Sequence, residues 1–173
     1  MTTLITGGAK CGKSRLAEKL LDDRAGRKIY IATMRPFGEE AFAAIERHRK
    51  IRSGKGFETV EKYTGLHELG LPEKCHILLE CMANLCANEM FRGDSINDPT
   101  ERIMQGLKHL QIRAETLVIV TNSVGSDGVS YSAETNGYIE AMGRLNTLAA
   151  GISDNVIECV YGVPVILKGK LCY

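Results

Sequence analysis

Residues 7–14 read Gly7-Gly8-Ala9-Lys10-Cys11-Gly12-Lys13-Ser14, a full match to G-x-x-x-x-G-K-[ST]. These residue types at this spacing suit one chemistry, the gripping of a nucleotide's phosphates. Glycines let the backbone adopt positive φ and bring its N–H groups against phosphate oxygens. The positive end of a following helix adds to the field that holds negative charge. In such a loop Lys13 reaches the β- and γ-phosphates, and the Ser14 hydroxyl ligates Mg²⁺. The metal or its waters also need a carboxylate at the end of a neighbouring strand. Glu80 closes the run His76-Ile77-Leu78-Leu79 and fits that role, although an Asp is more usual there.

A second set of reactive types lies in Ala44-Ile45-Glu46-Arg47-His48-Arg49-Lys50-Ile51-Arg52. His48 and Arg52 stand four apart, so a helix aims an imidazole and a guanidinium the same way. A neutral imidazole is a competent nucleophile toward phosphorus, and a nearby guanidinium stabilises a phosphoryl or nucleotidyl group in transit. The bland alternative, a solvated basic helix end, is the commoner fate of a charge run. His67, His76 and His109 are isolated and suit surface or core roles. The six cysteines (Cys11, Cys75, Cys81, Cys86, Cys159 and Cys172) form no C-x-x-C pair and no structural-zinc spacing, so buried free thiols are expected.

The elements that must position these groups follow from hydrophobic patterning. Short apolar runs alternate with amphipathic stretches, the pattern of a parallel α/β sheet flanked by helices. Strands are expected at 3–6, 28–33, 76–80 and 117–121, with a short strand or loop at 57–63. Helices are expected at 13–23, 39–51, 82–91, 100–110 (capped by Asp98 or Thr100) and 134–150. The runs 156–160 and 163–167 flank Gly162 as a terminal hairpin. Residues 93–99 form a polar break suited to a mobile loop, and 126–131 a Gly/Ser loop. The phosphate-binding motif thus follows an apolar strand and opens an amphipathic helix, the context it requires.

Composition sets the outer bounds. The chain has 173 residues, 44% apolar and 25% charged, with 22 Lys plus Arg against 21 Asp plus Glu, a net charge of +1. That describes a globular chain, and with no repeat, low-complexity tract or linker it reads as one domain, 1–173. The balanced charge gives no field for nucleic acid. No apolar run approaches the ~20 residues of a bilayer span, and no signal peptide is visible, so a cytoplasmic location is expected. The phosphate loop serves many functions. Length excludes multi-domain motors, and no N-K-x-D run supports a GTPase. A small-molecule phosphotransferase and a non-catalytic NTP-binding regulator both remain.

At this point the chain resembles the bifunctional adenosylcobinamide kinase / adenosylcobinamide-phosphate guanylyltransferases of cobalamin biosynthesis. The carriers are Thr6 to Arg15, Tyr30-Ile31-Ala32-Thr33, Ile45-x-x-His48-x-x-x-Arg52, Thr59-x-Glu61 and Leu78-Leu79-Glu80-Cys81 with Asn88. Val120-Thr121-Asn122-x-Val124-Gly125, Gly143-x-x-Asn146 and Gly162-x-Pro164 complete the set. The resemblance implies a RecA-like, mostly parallel sheet, a homotrimer, ATP and GTP as substrates with Mg²⁺, and adenosylcobinamide as acceptor. It implies phosphoryl transfer to that corrinoid, then GMP transfer through a GMP–histidine intermediate, which would be on His48. It places nucleotide-binding positions at Gly7 to Ser14, Ala32, Thr33, Met34, Arg49, Lys50, Ile51, Arg52, Glu61 and Glu80. Two departures stand out. Ser123 replaces an acid found in many relatives, and 130–140 lacks the usual Arg-rich segment. They raise two alternatives, a protein retaining one of the two activities and a regulator that binds nucleotide without turnover.

Overall fold

The computed structural model describes residues 1–36, 46, 54–93, 95–125 and 128–170. Its strands are β1 (Thr2–Thr6), β2 (Lys28–Ala32), β3 (Phe57–Glu61), β4 (Cys75–Glu80), β5 (Ala114–Val120), β6 (Asn155–Val160) and β7 (Val163–Lys168). The described helices are α1 (Lys13–Asp22), α2 (Met82–Met90), α3 (Thr100–Arg113) and α4 (Ala133–Ile152). The helix expected over 39–51, with His48 and Arg52, falls outside the described residues apart from Glu46.

The strands form one seven-stranded sheet in the order β3-β2-β4-β5-β1-β6-β7. Pairing is parallel from β3 to β6, and β7 alone runs antiparallel, against β6. The α/β expectation and the terminal hairpin are therefore what the chain adopts. Val160 pairs with Val163 around Tyr161 (φ 51°) and Gly162 (φ 83°). Positive φ at both central residues matches a two-residue turn to the right-handed twist of the strands.

Alternation along each strand builds two apolar layers. Leu4, Ile29, Ile31, Ile77, Leu79, Leu117 and Ile119 face α2, α3 and α4. Ile5, Tyr30, Leu78, Val118, Val120 and Ile157 face the other way, onto Leu16, Ala17, Leu20 and Leu21 of α1. Each fully buried aliphatic side chain contributes roughly 1.5–3 kcal/mol. Both faces are covered, which is why the central strands read as continuous apolar runs.

Most element boundaries lie one or two residues from expectation, and the largest shifts surround the end of α3 and the start of β5. Helix α3 continues to Arg113. Its last turn is held by the Gln111 amide, which donates to Thr2 Oγ1 at 3.0 Å and to the Ile152 carbonyl at 3.1 Å. Pro99 precedes that helix, and Asp98 caps from one residue further out by accepting the Thr100 N–H at 2.9 Å. Strand β5 starts at Ala114, because α3 passes directly into it.

Candidate functional site

The loop between β1 and α1 lies at the carboxyl edge of the sheet, where open α/β sheets place their ligands. Its path needs the left-handed region at Gly7 (φ 141°), Lys10 (φ 57°) and Gly12 (φ 102°). Gly7 has a second constraint: a Cβ there would lie 2.5 Å from the Cys159 carbonyl oxygen. Gly8, Ala9 and Lys10 form an exposed lip, while Cys11, Gly12 and Ser14 are half-buried. Gly12 O then accepts the Leu16 N–H at 3.0 Å and opens the helix.

Lys13 is 7% exposed, a costly position for an ammonium unless its donors are used. They are used within the loop: Nζ donates to Gly7 O at 3.0 Å and Gly8 O at 2.5 Å, and lies 3.7 Å from Cys11 Sγ. The cation is thus held over the cradle formed by its own loop.

Ser14 and Glu80 meet, with the Ser14 hydroxyl donating to Glu80 Oε1. The other carboxylate oxygen, Oε2, accepts the Tyr30 hydroxyl at 3.1 Å. Tyr30 was not anticipated as a site residue. It lies two positions before Ala32, and Ala32 stands in register with both Glu80 and Glu61. Ala32, Glu61 and Glu80 therefore end three adjacent strands at one level. Glu61 is exposed and accepts the Tyr63 hydroxyl at 2.7 Å. Met34 is exposed as well.

Thr33 plays a structural part. It is fully buried, and its Oγ1 accepts the Cys81 N–H and donates to the Cys81 carbonyl, both at 2.8 Å. Its own carbonyl accepts from the Asn88 amide at 2.8 Å. These bonds fix the turn that follows Glu80, and they give Asn88 a reason to stand in the motif set.

The late motif pieces also converge. Thr121 donates to Asn146 Oδ1 at 2.7 Å, and Asn146 Nδ2 donates to the Asn122 carbonyl at 3.1 Å. The Ser123 N–H donates to Gly7 O at 3.3 Å, and its hydroxyl lies 3.2 Å from that of Thr6. Ser123 thus borders the start of the cradle. His48, Arg49, Lys50, Ile51 and Arg52 lie outside the described residues.

The other histidines have local partners. His76 Nε2 lies 2.8 Å from Ala25 O, and His109 Nε2 lies 2.8 Å from Leu69 O. Cysteines 11 and 81 correct the expectation of buried thiols, being only partly buried, whereas Cys75, Cys86 and Cys159 are buried. Burial pushes the Cys81 thiol up, as it does Cys159, whose contact with the Cys11 side chain adds to the rise. Among the described residues no group of three or more His, Cys, Asp or Glu is arranged to hold a metal.

Comparison with known proteins gives the family and the fold of the chain. A family model described as cobinamide kinase / cobinamide phosphate guanyltransferase matches residues 3–167. The bifunctional adenosylcobalamin biosynthesis protein CobU of Escherichia coli (strain K12) is 33% identical, the match covering 97% of this chain and 100% of the relative. The bifunctional adenosylcobalamin biosynthesis protein CobP of Pseudomonas aeruginosa is 29% identical over 98% of this chain and 99% of its own. Among solved structures, a prototypical ATPase from the type III secretion system of pathogenic bacteria superposes with a TM-score of 0.52 at 11% identity. The match covers 91% of this chain and 50% of that one. A Pyrococcus horikoshii OT3 protein gives a TM-score of 0.54 at 7% identity, over 98% of this chain and 87% of its own. At these identities the two structures share the fold alone.

Proposed function

The chain belongs to the cobinamide kinase / cobinamide phosphate guanyltransferase family, and on that premise we propose that it phosphorylates adenosylcobinamide with a nucleoside triphosphate and then transfers GMP from GTP to the product, giving adenosylcobinamide-GDP. Family membership makes it a transferase of cobalamin biosynthesis. The observation that carries the phosphoryl-transfer reading is the Gly7–Ser14 loop with Lys13 held over it and Glu80 held by Ser14 and Tyr30, and the second step rests on the family resemblance at His48.

In the first step the corrinoid's aminopropanol hydroxyl attacks the γ-phosphorus and the nucleoside diphosphate leaves. The backbone N–H groups of the loop and the Lys13 ammonium stabilise the charge on the transferred group. In the second step a ring nitrogen of His48 attacks the α-phosphorus of GTP, a P–N bond forms and pyrophosphate leaves. The acceptor phosphate then attacks the same phosphorus and displaces the imidazole. Arg49, Lys50, Ile51 and Arg52, with Ala32, Thr33, Met34 and Glu61, complete the proposed nucleotide site. Because both Thr33 side-chain bonds go to Cys81, its contribution is to shape the pocket through the backbone.

A hydroxyl and a carboxylate are hard oxygen donors that suit Mg²⁺, which completes its shell with substrate phosphates and waters. Ser14 and Glu80 would hold it, and when bound it supplies charge neutralisation on the phosphate oxygens. We also read the protein as a single cytoplasmic domain, on its composition and patterning, and as a homotrimer, on the family resemblance. Among the described residues no helix is long and apolar enough to cross a membrane.

The test is incubation with α-labelled GTP and Mg²⁺. The expected result is an acid-labile, base-stable adduct that discharges onto adenosylcobinamide phosphate, is missing in His48→Ala, and is impaired along with the kinase step in Lys13→Ala. A labelled His48→Ala protein removes the histidine mechanism. A second reading, in which only the kinase step survives, is favoured by the position of Ser123 against Thr6 and Gly7. It predicts phosphorylated corrinoid with no GMP adduct.

A further inference from the structure

Two thiols meet beneath the phosphate loop. Cys11 belongs to the loop and Cys159 to β6, 148 residues apart in sequence. Cys159 Sγ donates to the Cys11 carbonyl at 3.2 Å, and the Gly162 N–H donates to the same oxygen at 2.8 Å. One carbonyl of the loop is therefore anchored twice by the β6–β7 hairpin. Both sulfurs lie against the loop's own glycines, Cys11 Sγ 3.0 Å from where a Gly7 Cβ would stand and Cys159 Sγ 3.7 Å from where a Gly12 Cβ would stand. The position a Gly7 Cβ would occupy lies 3.0 Å from Cys11 Sγ and 2.5 Å from the Cys159 carbonyl, so both cysteines crowd the same side of the loop.

Access is divided between them. Cys11 is half-buried at the loop, whereas Cys159 is 1% exposed behind it. That is the arrangement of an attacking thiol with a resolving partner. We propose that Cys11 and Cys159 form a peroxide-sensitive dithiol, and that its oxidation to a disulfide ties the loop to β6 and shuts down nucleotide binding.

The chemistry balances with hydrogen peroxide as oxidant. The Cys11 sulfur attacks one peroxide oxygen, the O–O bond breaks, and one water leaves after proton transfer, giving a sulfenic acid. The Cys159 sulfur then attacks the Cys11 sulfur, the S–S bond forms, the S–O bond breaks and a second water leaves. The two thiols lose two electrons and two protons, and one peroxide becomes two waters. The cross-link removes the S–H donor to the Cys11 carbonyl and draws the Cys11 side chain from the Lys13 ammonium toward β6. Residue 11 is then fixed where the loop must adjust its N–H groups to a phosphate. The regulatory half rests on the phosphate-binding reading of the loop, and the cross-link does not.

The experiment treats the full-length protein with hydrogen peroxide, alkylates remaining thiols, and maps peptides by mass spectrometry, with binding of a fluorescent GTP analogue measured in parallel. The expected product is a Cys11–Cys159 peptide pair lighter by two hydrogens, with loss of analogue binding that dithiothreitol reverses. In Cys159→Ser, dimedone should trap the Cys11 sulfenic acid and no pair should form. Free, alkylated Cys11 and Cys159 after peroxide, or a pair joining Cys11 to Cys81, overturns the assignment. A cross-linked protein that binds the analogue as well as the reduced one overturns the regulatory half. Failure of the reduced protein to bind the analogue would instead refute the nucleotide reading, while the mapped cross-link still decides the thiol chemistry.

Discussion

Gly7→Ala separates a backbone requirement from mere proximity to the loop. Gly7 sits at φ 141°, a region essentially reserved for glycine, and an L residue held there costs about 1–3 kcal/mol. The added methyl would lie 2.5 Å from the Cys159 carbonyl oxygen and 3.0 Å from Cys11 Sγ. The first neighbour is backbone of β6, paired with both β1 and β7, so it cannot swing aside. Relieving such a clash costs about another 1–3 kcal/mol. A total near 4 kcal/mol in a chain of this size lowers Tm by roughly 8–16 °C. Gly8→Ala is the control, because its Cβ meets nothing within 4 Å and its residue is exposed. That variant should remain within about 0.5 kcal/mol of the wild type. Urea and thermal unfolding of the reduced proteins measure both. If Gly7→Ala melts with the wild type, or Gly8→Ala falls as far as Gly7→Ala, the account of the loop's backbone is wrong.

Tyr30→Phe keeps the ring, which packs edge-on against Phe57 with centroids 6.4 Å apart, and removes the donor to Glu80. A hydrogen bond to a charged group contributes about 1.5–3 kcal/mol, so a loss near the lower end is expected in urea unfolding, with a raised KM for Mg²⁺-nucleotide on the proposed reading. Asp98→Ala should cost about 0.5–1.5 kcal/mol by removing the acceptor of the Thr100 N–H at the start of α3. Thr100, whose N–H donates to it at 2.9 Å, holds the Asp98 carboxyl below its usual value of 3.8, so its stabilisation is present above that value and is lost as pH falls through the lower folded-state value. The gap between wild type and Asp98→Ala should close along that limb. At the alkaline end, burial pushes both the Cys86 thiol and the Tyr138 hydroxyl up to about 12. Their contribution is full below the ordinary values of 9.0 and 10.0 and is lost as pH rises toward 12. Unfolding of Cys86→Ala and Tyr138→Phe across this range should show a shallower decline than the wild type.

Local signals carried the phosphate loop, the central strands and the hairpin. A glycine pattern between an apolar run and an amphipathic stretch has few backbone solutions, and Tyr161-Gly162 between valine runs has fewer still. Such features need only neighbours in sequence, so Gly7 to Ser14 and the strand-terminal Glu80 could be picked out before any fold was known. The order of strands is a different kind of information. Placing β6 beside β1 sets Cys159 against Cys11, and aligning β2 with β4 brings the Tyr30 hydroxyl to Glu80. Nothing periodic in the chain marks those partners. Their meeting depends on which strands pair and in what register, a choice made by the burial of two whole apolar layers rather than by any one segment. The last turn of α3 shows the same division on a smaller scale, since Gln111 holds it by bonds to Thr2 and Ile152 from distant parts of the chain.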